Sequence, residues 1–151
     1  MAGAVTVRAV DDHRSRAAFL RVPFRVFADD PAWVPPLFME QRKLLDPKRN
    51  PYFEHAEAAF WIAERDGVAV GRISAQVDRL AVAGDGHFGM LCAQDEPDTV
   101  AALLSTAEDW LRTRKCNRIV GPFDLSINHE SGLLVDGFDR PPMLLMRHDP
   151  A

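Results

Sequence analysis

The chain has 151 residues, 47% of them hydrophobic and 26% charged, with a formal net charge of −4. That length supports one core-bearing domain, and those proportions exclude disorder as the starting assumption. The acidic balance argues against a nucleic-acid binder, whose footprint is a clustered basic surface, and no apolar run reaches membrane-spanning length. Neither nucleic acid nor membrane is therefore expected as a partner, and the expected location is cytoplasmic. Cys92 and Cys116 have neither metal-type spacing nor the density of a disulfide framework, so both are expected as free thiols.

In chain order, Thr6 to Val10 alternates and predicts a short first strand. Asp11 or Asp12 can cap a helix over Arg16 to Ala28 with Phe19, Leu20, Phe24 and Phe27 on one side. Pro23 falls within it and is expected to end or kink it. The stretch Asp29 to Leu37 carries three prolines in six residues, a stiff connection expected to anchor Trp33. A second short helix is expected over Leu37 to Leu45, then a polar turn over Lys48 to Phe53 with Tyr52 packed beside Phe53. From Glu57, two apolar runs joined at Arg65-Asp66-Gly67 read as an antiparallel hairpin, because Asp-Gly suits its tight turn. Ala81 to Gly86 is a flexible turn.

The best-specified stretch is His87 to Phe123. Val100, Leu103, Leu104, Ala107, Trp110 and Leu111 form one apolar helical stripe, opposed by Glu108, Asp109, Arg112 and Lys115. Asp95, Glu96, Pro97 and Asp98 supply the helix start. Phe88 to Ala93 and Asn117 to Phe123 read as strands on either side, which a crossover of this length makes parallel. Beyond them, Asp124 to Asn128 is polar, Gly132 to Phe138 contains an Asp-Gly turn, Pro141-Pro142 blocks regular structure, and Met143 to Met146 is an apolar run. The five histidines are scattered and expected at the surface or in turns. His129-Glu130 lacks the second histidine of a zinc-hydrolase motif, so no metal is expected.

This element order resembles the first part of the Gcn5-related N-acetyltransferase (GNAT) fold. The phrases DPAWVPPL, NPYFEHAEAAFWIAERDGVAVGRISAQVD, GHFGML and VGPFDLSINHESGLLVDGFDRPPMLLMRHDP look like a bacterial family described as GNAT-like. The resemblance implies an α+β fold: a central mixed sheet with an antiparallel hairpin and a parallel strand-helix-strand core. It implies that residues 1–151 are a single, partial domain lacking the closing helix and strands, with a homodimer expected to cover the open sheet edge. It also implies an acyl-CoA-dependent N-acyltransferase acting on a small-molecule or peptide amine, with acetyl-CoA or another acyl-CoA as donor.

By the same resemblance the acyl carbonyl would meet the backbone of Gly89, Met90 and Leu91. The pyrophosphate would meet Gln94, Asp98 and Thr99 at the helix N-terminus, where unpaired N–H groups and the dipole favour anions. The superfamily's loop carries glycines at two positions where this chain has Pro97 and Thr99. Pro97 removes a donor, and Asp95, Glu96 and Asp98 would repel a phosphate. Glu130 and His129, with Asn128 as a positioner, are the catalytic candidates for moving a proton off the amine. The same residues also have the composition of a hydrogen-bonded turn. Two readings stay open: an acyltransferase, or a non-catalytic GNAT-like module whose CoA loop has degenerated.

Overall fold

The computed structural model describes residues 3–143, 148 and 149; the apolar run ending at Met146 lies, past Met143, outside them. One sheet has the order β1 (Val5–Ala9), β2 (Ala56–Arg65), β3 (Val68–Asp78), β4 (Asp85–Ala93) and β5 (Arg118–Val120). The first four strands are antiparallel, and β4 pairs with β5 in parallel. Helices α1 (His13–Val26) and α2 (Phe38–Leu44) follow β1, and α3 (Pro97–Thr113) crosses from β4 to β5. The fold is the mixed α+β arrangement expected.

Local chemistry accounts for most boundaries. Asp12 caps α1: its carboxylate accepts from the Ser15 N–H at 2.6 Å, while the Ser15 hydroxyl accepts from the Asp12 N–H at 3.1 Å. This reciprocal pair starts the helix three residues earlier than expected. The β2–β3 turn places Asp66 and Gly67 at φ 51° and 76°, the pair of left-handed residues that a two-residue hairpin turn requires. β5 is shorter than the expected strand because Pro122 has no N–H to extend a ladder.

Of the two expectations for Pro23, that it ends the helix is not met: Pro23 lies inside α1, which runs on to Val26. Proline leaves the carbonyl four residues earlier without its helical donor. That carbonyl belongs to Phe19, and Arg72 of β3 donates to it through Nη1 at 3.3 Å, its guanidinium lying 4.8 Å from the centre of the Phe19 ring. A tertiary donor thus replaces the missing backbone one.

The sheet is covered on both faces. On one, Phe19, Leu20 and Val22 of α1 pack with Ile62 and Met90; on the other, Leu103, Ala107 and Leu111 of α3 pack on Trp61, Ala63, Ile73 and Ala75. β3 is therefore buried on both sides, yet it alternates. Ile73 and Ala75 belong to the α3 core, while Arg72, Ser74 and Gln76, all buried, fall on the opposite face with the period of two that a strand imposes.

Candidate active site

β4 and β5 pair only between Asp85–His87 and Arg118–Val120. Just beyond, β4 bulges: the register steps from Ser74↔Gly89 to Arg72↔Cys92, so Met90 and Leu91 together oppose Ile73, and Met90 takes φ 49°. A bulge takes an N–H out of the ladder. Here the Met90 N–H donates to the Asp124 carboxylate at 2.7 Å. The Phe123 N–H donates to the Phe88 carbonyl at 2.8 Å. This approach is so close that a Cβ on Gly89 would lie 1.7 Å from the Phe123 carbonyl oxygen.

Gln76 holds the loop that follows. It is fully buried, and its Nε2 donates to the carbonyls of Phe123 at 2.8 Å and Leu125 at 3.2 Å, while the Ser74 hydroxyl donates to its Oε1 at 3.3 Å. Within the loop, the Ser126 hydroxyl lies 2.9 Å from His129 Nδ1 and accepts from the Asn128 N–H at 3.2 Å. The Asp124 N–H donates to the Glu130 carbonyl at 2.9 Å, and Phe123 bridges to Ser131. The hydrogen-bonded turn read from the sequence is present.

That turn also forms a wall. Asn128, His129 and Glu130 line a cavity of about 370 Å³ together with Arg72, Cys92 and the aromatic rings of Phe27 and Trp33. Trp33 stacks on Phe27 at 5.2 Å, so the proline-rich connection does anchor it. His148 also lines this cavity. It is not at the surface: its side chain is 2% exposed, its Nε2 lies 2.7 Å from Asp30, and its ring packs beside Phe27. The bond to His148 holds the Asp30 carboxyl below its ordinary pKa. The scattered histidines of the sequence thus include one that is buried and bonded.

On its other side the turn faces a second cleft, of about 590 Å³, lined by Tyr52, His55, Asp78, His87 and again His129. His55 Nδ1 meets Asp78 at 2.8 Å. Burial pushes the Tyr52 hydroxyl pKa up, and burial lowers both His87 and His129, the latter opposed by the Asp124 charge. Burial therefore favours the neutral imidazole of half-buried His129. Nδ1 lies beside the Ser126 hydroxyl; in the tautomer in which Nδ1–H donates to that oxygen, Nε2 is the atom that can take a proton.

The start of α3 is chemically different. Glu96 precedes Pro97 and makes no side-chain cap, and the Asp98 carboxylate accepts from the Thr99 N–H at 2.8 Å. Arg65, at the end of β2, reaches Glu96 at 2.7 Å, Asp98 at 2.9 Å and the Thr99 hydroxyl at 3.2 Å through Nη2. Hydrogen bonding to Asp98 raises the Arg65 pKa, and the same bond holds Asp98 low. The acids are thus held by a cation from the neighbouring hairpin. Pro97 lacks its donor, the Thr99 donor is taken, and two carboxylates face the helix end: these residues as arranged do not fit a pyrophosphate. Gln94, Asp98 and Thr99 do not line the 370 Å³ cavity, nor do Gly89, Met90 and Leu91; Cys92 is the β4 residue that does. Among the described residues, no group of histidine, cysteine or acidic side chains is arranged to hold a metal, and no helix is long and apolar enough to cross a membrane.

No family model matches the chain. Over 137 residues, 87% of its length, it is 54% identical to the bacterial ceramide synthase of Caulobacter vibrioides; over 146 residues, 94% of its length, it is 44% identical to protein YghO of Escherichia coli. The chain spans 36% and 37% of the lengths of those relatives. Among solved structures it matches a tandem GNAT protein from the clavulanic acid biosynthesis pathway with a TM-score of 0.59, at 15% identity over 74% of this chain and 34% of that one. An aminoglycoside N-acetyltransferase in complex with CoA matches with a TM-score of 0.54, at 13% identity over 91% of this chain and 95% of the other. The chain has the GNAT fold. The bulged β4, the parallel β5 and the intervening α3 are its parallel core, and the turn over 124–131 follows directly from it.

Within this GNAT fold, sequence reasoning finds the turn residues but not what supports them. Arg72, Ser74, Gln76, Asp124 and His148 are not among its candidates. The polar alternation Arg72-Ser74-Gln76 inside an otherwise apolar strand is the signal available, since a strand buried on both faces keeps polar side chains only where they have partners.

Proposed function

We propose that the protein is a GNAT-type N-acyltransferase whose catalytic wall is the turn carrying Asn128, His129 and Glu130. The observation that carries this reading is that all three line one cavity next to the β4 bulge of a GNAT fold, with His129 held neutral by burial. The acceptor amine is an ammonium ion in water and must lose a proton before its nitrogen can attack. His129 Nε2 takes that proton and gives it up to solvent, then takes the nitrogen's second proton as the nitrogen bonds to the acyl carbon of a thioester and the carbon–sulfur bond breaks. The imidazolium then returns the proton to the departing thiolate. Clefts on both sides of His129 give the two substrates separate entrances.

The identity to the Caulobacter ceramide synthase supports a long-chain amine as acceptor, since a ceramide is the amide of a long-chain amino alcohol. The donor is an acyl thioester such as acyl-CoA. Its pyrophosphate, if present, is not gripped by the α3 N-terminus in the arrangement described, because Arg65 already serves Glu96 and Asp98.

That closed helix end favours a second reading, a GNAT-like module without catalysis. Calorimetric titration of the protein with acetyl-CoA and long-chain acyl-CoAs separates the two. Saturable binding is the expected result; a folded protein that takes up none of them sinks the acyltransferase reading.

A further inference from the structure

We propose that the face formed by α1 and α2 is a docking surface for a bilayer containing anionic lipids. α2 lies at the surface: none of its residues is buried, Leu44 packs partly against the α1 core and Phe38 stacks on Phe24, and the rest of the helix is left open. Just before it and in its first turn, Val34, Leu37, Phe38 and Met39 are 59%, 63%, 37% and 66% exposed. Four large apolar side chains within six residues are more than the scattered apolar surface of an ordinary domain.

Beside them runs a cleft of about 990 Å³ between α1 and α2, and Phe38 and Met39 line it with Arg16, Arg21, Arg42, Lys43, Lys48 and Arg49. Asp46 is the carboxylate in that lining, 3.7 Å from Arg49. Among the described residues no carboxylate pairs with Arg16, Arg21, Arg42, Lys43 or Lys48. In a chain of net charge −4, this is a strong separation of charge onto one face.

The occupant follows from the pairing of these two features. A nucleic acid or a soluble anion would answer the cations and leave Val34, Leu37 and Met39 in water. A neutral apolar partner would bury those three and strand the cations. An anionic bilayer answers both, since headgroups meet the basic side chains while apolar tips enter the acyl boundary. The expectation of no membrane partner rests on the lack of a membrane-spanning run, which does not bear on a peripheral contact.

Position adds a second argument. α2 stands between the basic cleft and the catalytic cavity, offering Phe38, Met39, Arg42 and Lys43 to the first and Glu40, Gln41 and Leu44 to the second. A bilayer seated on α2 would lie at the mouth of the cavity, where a long-chain amine would leave it. The surface argument itself does not depend on the acyl-transfer reading.

The test is co-sedimentation of the protein with phosphatidylcholine vesicles, with and without phosphatidylglycerol. Binding only to the anionic vesicles is expected, with release in about 1 M salt, where charge interactions are screened within a few ångströms. Arg42→Gln with Lys43→Gln should weaken binding about 25-fold, at about fivefold per cation. Met39→Asp should weaken it as well, whereas Arg112→Gln with Lys115→Gln, on the opposite face of the sheet, should not. Every position tested is solvent-exposed, and unchanged melting temperatures would show that the variants fold. No vesicle binding, equal loss in the α3 control, or full displacement by inorganic phosphate at constant ionic strength would each overturn the proposal. Acyl-CoA titration of the same samples reads the acyltransferase proposal separately, so the two can fail independently.

Discussion

In the proposed reaction, His129 is the residue on which the chemistry would turn. Its pKa is lowered by burial, so the neutral imidazole that can accept a proton persists to a pH below the ordinary histidine value of 6.5. For activity the sign is direct: kcat/KM should be flat at neutral pH and fall in acid, with an apparent pKa below 6.5. His129→Gln should remove that limb and cost about 100-fold or more in rate. The sign for stability runs the same way, because between the lowered folded value and 6.5 the unfolded chain binds the extra proton, and folding weakens as pH falls through that window. A pH–rate profile unchanged by the substitution would exclude His129 as the base. A second residue-scale test concerns Arg72. If it replaces the donor that Pro23 lacks, Arg72→Met should destabilise the protein less in a Pro23→Ala background, where the alanine amide can serve the Phe19 carbonyl, than in the natural one. A coupling of about 0.5 to 3 kcal/mol is expected from a thermal or denaturant double-mutant cycle; additivity would dissociate the two residues. Neither Arg72 nor Gln76 is legible in the sequence as a site residue, because their partners are carbonyls 53 and 47–49 positions away, and no local pattern marks such a pairing.

At the scale of elements, what is legible is what local chemistry decides. The apolar stripe of α3 and the Asp66-Gly67 hairpin are written in neighbouring residues, and both form as expected. The helix start at Asp95 to Asp98 reads as acidic and self-capping. The structure keeps the acidity and two local contacts, Asp98 accepting from the Thr99 N–H and Glu96 from the Thr99 hydroxyl, but gives the main partnership to Arg65 of β2. That contact joins residues more than thirty positions apart, so the sequence could show the charges without their counter-ion. It makes a specific prediction for the donor. Glu96→Gln with Asp98→Asn removes two negative charges from the helix end and releases Arg65, which should tighten CoA binding about tenfold by calorimetry. Weaker binding in this variant would mean that the carboxylates position the ligand and do not repel it.

Across the whole molecule, the element order alone carries the GNAT fold, since strand, two helices, hairpin, strand, crossover helix and parallel strand is an uncommon succession. The low identity to solved GNAT-type structures, 12–15%, shows why: the fold is preserved in the order and period of its elements while individual residues vary. The candidate site is half legible. Asn128, His129 and Glu130 can be nominated from their loop position, but the cavity they share with Phe27, Trp33 and His148 exists only after the chain has closed on itself. The charge separation across the molecule is hidden in the same way, because a net charge sums over faces that the fold keeps apart.

Amide formation itself is the most direct test of acyl transfer by this protein. The protein would be incubated with a long-chain amino alcohol and a panel of acyl-CoAs, with released thiol and the N-acyl product both quantified by mass spectrometry. Thiol release that depends on the amine, an amide product in equal amount, and loss of both in His129→Gln are the expected results. A folded protein that releases thiol without amine, or forms no amide with any donor in the panel, would contradict the proposed reaction.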